Sequence, residues 1–184
     1  MSPEDPSCQC LSGSLLLAEP SLMDPNFRRT VLLITDHRSD EGAHGYVLNR
    51  PEGRTAGDLL PSTDLGDLAA VPAFTGGPVS PEQLTFAALS WNPESGLTFA
   101  THLTRDDALE RLHRGESLRA FVGYSGWAAG QLENELKHRS WITAKPVEAV
   151  VDPAAGGHLW RSVLHGMGPW FQLLSGMPDD PGLN

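Results

Sequence analysis

The sequence predicts an α+β domain with a substantially antiparallel sheet. Its 184 residues are 40% apolar and 20% charged, and no apolar run is longer than a strand, as expected of one globular, soluble unit with no membrane span. Several β-type runs are joined by short turn signals, so neighbouring strands pair as hairpins. Helical patterns with their own caps stand among them. A chain of this length buries about 70% of the surface its unfolded form exposes, so one core suffices without a disulfide or metal staple.

Residues 1–11 read as a loose tail and residues 12–184 as a single domain. Ser14 to Ala18 forms a first strand stopped by Glu19-Pro20. Asp24-Pro25-Asn26-Phe27 suits one helical turn, with Asp24 as cap and Pro25 in the first helical position. Thr30 to Thr35 is a continuous apolar strand buried on both faces and therefore central. Gly45 to Asn49 returns as a hairpin partner ended by Arg50-Pro51, and a short helix follows near Thr55 to Leu60. Phe74 to Val79 is a strand running into a Gly76-Gly77 turn. Leu84 to Leu89 and Leu97 to Thr101 pair around Asn92-Pro93-Glu94-Ser95-Gly96. Thr104 caps a helix whose first turn carries Asp106 and Asp107 and whose end is Gly115. Arg119 to Gly123 is a strand, Ala128 to Arg139 a helix, and Trp141 to Val151 a strand that Pro146 confines to an edge or bulge. His158 to Met167 comes last, as a helix whose Leu159, Trp160, Val163, Leu164 and Met167 share one core-facing side.

Charge excludes some functions. The net charge is −10, from 23 acids and 13 bases, and only Lys137 and Lys145 are lysine. Arg105, Arg111 and Arg114 are interleaved with Asp106, Asp107 and Glu110, so no basic stripe offers phosphate neutralisation, and direct nucleic-acid contact is disfavoured. The acidic, proline-rich Met1-Ser2-Pro3-Glu4-Asp5-Pro6 is unlike a secretory signal, and a cytoplasmic protein is expected.

Cys8 and Cys10 supply two soft ligands with no second pair to complete a zinc site, and read as reduced thiols or a redox pair. The histidines form no metal-binding helix motif, and Asp36, His37 and His44 span an expected loop; no metal or other cofactor is assigned. Nor does any nucleotide-binding glycine motif occur.

Gly123-Tyr124-Ser125-Gly126-Trp127 bridges a strand and a helix. It resembles a nucleophile elbow, but Trp127 stands where the closing glycine belongs, and no catalytic residue is assigned. A turn of this kind can instead expose backbone N–H groups to an anion, or serve only to pack the connection. Gly76, Gly77, Ser125, Gly126 and Trp127 are therefore the candidate ligand-binding residues.

Four ordered segments, Ala18 to Val31, Gly45 to Pro51, Gly76 to Val79 and Gly123 to Glu135, closely resemble the bacterial YqgE/AlgH family, and Met177 to Asn184 fits as well. The likeness covers residues 12–184 and leaves out the Cys-x-Cys leader. It implies a compact α+β domain whose bent, largely antiparallel sheet forms a pseudo-barrel flanked by helices. It also brings the label of transcriptional regulator, without an established ligand, substrate or catalytic residue. Three functions follow in order of preference: a non-enzymatic binding or regulatory domain acting through a protein partner; a small-anion or nucleotide-binding enzyme using the Gly76-Gly77 and Ser125-Trp127 turns; and a direct DNA-binding regulator.

Overall fold

The computed structural model describes residues 10–176. Cys8 and the terminal segment Met177 to Asn184 lie outside the described residues. The strands are β1 (Leu15–Ala18), β2 (Val31–Arg38), β3 (Gly42–Val47), β4 (Pro51–Thr55), β5 (Pro72–Thr75), β6 (Val79–Asn92), β7 (Gly96–Leu103), β8 (Ser117–Trp127) and β9 (Trp141–Ala144). The α-helices are α1 (Ala56–Leu59), α2 (Arg105–His113), α3 (Gln131–Lys137), α4 (Leu159–Gly166) and α5 (Pro169–Ser175).

The sheet runs β4-β5-β8-β3-β2-β1-β9, with β6 joined to β8 and β7 joined to β6. Every pairing is antiparallel except β5 with β8, so the sheet is mixed and curls into a half-barrel with helices against it. β8 makes the corner. Its first half lies between β5 and β6, and its last three residues pair with Ala43, His44 and Gly45 of β3.

The Leu-rich β1 and the start of β2 are buried on both faces. Leu15, Leu17, Val31 and Leu33 share a core with Trp160, Val163 and Leu164 of α4. Leu16, Ala18, Leu32 and Ile34 face the other way, packing with Trp127, Trp141 and Leu132 of α3. A third cluster lies under α1 and α2, centred on Leu68, Ala73, Ala88, Ala108 and Ala120.

Thr104 caps α2 by accepting the Asp107 N–H, and Thr55 and Asp58 form a reciprocal capping box on α1. Asp24 heads a single hydrogen-bonded turn, its carbonyl accepting the N–H groups of Phe27 and Arg28. Leu11, expected in the tail, is buried, and its N–H donates to His37 Nδ1 at 3.1 Å.

Two expectations need correction. The strand expected from Trp141 to Val151 ends at Ala144; Pro146 has no N–H to continue a ladder, and a 3₁₀ turn at Glu148–Val151 then buries Val150. The Asp36, His37 and His44 segment is not a loop, because β2 extends through Arg38 and pairs Asp36 with His44 across a bulge. β4 and α5 join the elements foreseen.

A charged side chain sits deep inside this fold. Arg119 is fully buried, its Nη1 donating to the Leu48 carbonyl at 3.0 Å and its Nη2 to the Val150 carbonyl at 2.6 Å. The guanidinium lies 4.8 Å from the centroid of the Phe74 ring, and its Nε has no hydrogen-bond partner. Burial pulls its pKa down to about 10, which still leaves it charged at neutral pH.

Candidate functional site

The glycine-rich segments meet where β5 ends beside β8. Ser125 is fully buried and its hydroxyl donates to the Gly76 carbonyl at 3.2 Å. The same carbonyl accepts the Val47 N–H at 2.9 Å, while the Gly76 N–H donates to the Val122 carbonyl at 2.8 Å. A Cβ at Gly77 would stand 2.3 Å from the Tyr124 carbonyl oxygen and 2.4 Å from Ser125 Oγ, so only glycine lets the two backbones touch.

The turn expected at Gly123 to Trp127 is instead the end of β8. Ladder pairing with β3 outweighs the turn preference of the glycines, and α3 begins only at Gln131, after Gly130 at φ 72°. There is no strand-to-helix elbow here, and the Ser125 hydroxyl is sealed behind Gly77. Of the five sequence candidates, Gly76 and Ser125 form the buried support, whereas Gly77, Gly126 and Trp127 reach a surface groove.

That groove has two adjoining compartments that share Pro78. The basic compartment, about 310 Å³, is bordered by Pro25, Asn26, Arg50, Thr75 and Gly77; the aromatic compartment, about 390 Å³, by Asp24, Phe27, Trp127, Glu135 and Trp141. The loop headed by Asp24 forms one wall of both. A single carboxylate organises the aromatic wall: Trp127 Nε1 and Trp141 Nε1 donate to Glu135 Oε2 at 2.9 and 2.8 Å, and Gln131 Nε2 donates to Oε1 at 2.9 Å. Phe27 and Trp127 each meet Trp141 edge to face, with centroids 5.4 and 6.2 Å away.

A separate ring cluster surrounds the part-buried His44, with Tyr46 in the core and His102 exposed. His44 stacks on Tyr124 at 4.4 Å and meets Tyr46 and His102 at 5.1 and 5.6 Å. Its Nδ1 is 3.1 Å from Thr35 Oγ1. Burial, then the nearby His102, lower its pKa from 6.5, against a smaller opposing effect of Asp36. The unfolded chain therefore binds a proton more readily at this residue, so the neutral ring stabilises the fold above pH 6.5 and that contribution is lost as the pH falls below it. We expect the urea midpoint to drop between about pH 7 and about pH 5, and His44→Gln to flatten that drop. Equal slopes in the two proteins would show that His44 is not the group responsible.

His37 Nε2 is 2.9 Å from Glu133 Oε1. Among the described residues, no three His, Cys, Asp or Glu side chains are grouped to hold an ion. His158, just before α4, borders one surface pocket with Arg161, Ser162 and His165. Cys10 is exposed, and hydrogen bonding with Ser12 holds its thiol below the usual value. Arg50, Phe27, Glu135 and Trp141 were missed as groove residues. Arg50, Phe27 and Glu135 fall inside the family-like segments, whereas only folding brings Trp141 to them.

An AlgH-like family model matches residues 15–172. The UPF0301 protein SCO2948 of Streptomyces coelicolor is 38% identical over 95% of both chains, and one from Methylococcus capsulatus is 35% identical over 90% of this chain and 93% of its own. The solution structure of the AlgH protein of Pseudomonas aeruginosa superposes with a TM-score of 0.63 at 27% identity, covering 97% of this chain and 98% of its own. A crystal structure from Corynebacterium diphtheriae shares the fold, with a TM-score of 0.69 at 22% identity over 96% and 95% of the two chains. With the family model spanning most of the chain and relatives matched nearly end to end, this chain belongs to the YqgE/AlgH family.

Proposed function

We propose that the chain is a non-enzymatic binding domain that acts through a protein partner and presents the Pro78-centred groove to it. The observation that carries this reading is the state of the groove's reactive groups. Ser125 is sealed inside, and Glu135 is held by two indoles and an amide, so these groups shape a surface and are not poised on a reacting atom. Aromatic and proline walls, with Asp24 and Glu135 in the aromatic compartment and Arg50 in the basic one, favour an extended polypeptide with apolar and charged side chains.

The charge balance favours a protein partner over a nucleic acid, and a regulatory role would then be indirect. No helix among the described residues is long and apolar enough to cross a membrane.

A photo-crosslinking amino acid at position 78 should capture one protein in growing cells, and the same probe at position 162 on α4 should not. Trp127→Ala should remove the captured band. Equal capture from both positions, or steady turnover by the pure chain that one point substitution abolishes, would overturn the proposal.

A further inference from the structure

The basic compartment of the groove holds a guanidinium without a carboxylate. Arg50 is half-buried, and its Nη2 donates to the backbone carbonyl of Arg28 at 2.6 Å. Among the described residues no Asp or Glu pairs with it. The nearest carboxylate in sequence, Glu52, is engaged elsewhere: its Oε2 meets Arg54 Nη2 at 2.5 Å and its Oε1 accepts the Thr75 hydroxyl at 3.1 Å.

A second cation stands close. Burial, then Arg28, lower the Arg50 pKa below the usual guanidinium value. In a chain of net charge −10, a half-buried guanidinium that borders a cavity with no carboxylate pairing it among the described residues is an arrangement that folding alone disfavours. An anion in the cavity would remove that penalty by pairing with the half-desolvated fork. The room is there, at about 310 Å³ beside Gly77. Arg50 needs few of its donors for the Arg28 carbonyl, which leaves others for an oxyanion.

We infer that the cavity bordered by Arg50, Thr75, Gly77 and Pro78 is an oxyanion-binding site that takes a carboxylate or phosphate group, with Arg50 as its principal contact. The inference stands on this cavity and not on the protein-partner reading.

The test is an NMR titration of the intact chain with inorganic phosphate and, separately, with glutarate, at constant ionic strength maintained with chloride. Saturable shifts should appear at the amides of Val47 and Gly77 and not along α4. Saturation by phosphate alone would assign a phosphate group, by glutarate alone a carboxylate, and by both a general oxyanion site; each supports the inference. Arg50→Met should weaken binding by about tenfold or more, and Arg50→Lys, which keeps the charge and loses the fork, by less. A spectrum of Arg50→Met that otherwise overlays the parent shows that the fold is intact. No saturable shift from either anion, or equal affinity in parent and Arg50→Met, would overturn the inference. Either result is separable from the crosslinking at position 78, which needs no added anion.

Discussion

Arg119→Ala should lower the free energy of unfolding by about 3–5 kcal/mol, the largest loss we expect from a single side chain here. Three effects combine. The Leu48 and Val150 carbonyls lose their donors inside the protein, each at about 1–3 kcal/mol if nothing replaces them, and the vacated volume adds a cavity against Phe74. Against these stands a gain, because a charge with no carboxylate partner among the described residues and an unpaired Nε no longer has to be desolvated. Arg119→Met separates the contributions: it fills much of the volume and removes the charge, so its loss should be about half that of alanine. Urea unfolding of the three proteins measures this. If alanine were within about 1 kcal/mol of the parent, the guanidinium would not be holding these carbonyls.

Gly123→Ala should cost about 2–4 kcal/mol and disturb the groove as well. Gly123 has φ 67°, a left-handed conformation that an L side chain adopts at a penalty of about 1–2 kcal/mol. A Cβ there would also stand 2.5 Å from the Gly77 carbonyl oxygen and 2.8 Å from that of Val79. Neither is the free end of a side chain, so the Gly77-Pro78 backbone must move. Because Pro78 borders both compartments of the groove, the substitution should reduce crosslinking from position 78 along with stability. Loss of stability with capture unchanged would show that the groove does not depend on this close approach.

Much of this architecture could be read from residues. The three leucines of β1, the apolar start of β2 and the Asn92 to Gly96 turn carry local signals strong enough to survive folding. β4 could not be read so, since Pro51-Glu52-Gly53-Arg54-Thr55 has no apolar alternation and is a strand only because β5 offers its edge. α5 had a signal that went unused, Pro169 in the first helical turn after Gly168. At the site, the glycines were correctly singled out as special, but the reason differs. Gly76 and Gly77 permit contact between β5 and β8, a pairing between distant regions of the chain that no local pattern encodes. Trp141 stands only six residues from Glu135, yet its place in the groove depends on β9 pairing with β1, and the isolation of Arg50 depends on where Glu52 points.

The corner strand also sets the order in which the chain can be made. During synthesis, β3, β5 and β6 leave the ribosome well before Ser117 to Trp127, the segment that pairs with all three. Until it arrives, each of these strands has a partner on one side and an open edge on the other, and the sheet cannot close. The nascent first hundred or so residues are thus the aggregation-prone stage of this protein's life; the arrival of β8 ends that exposure and supplies one edge of the groove, which α3 and β9 then complete.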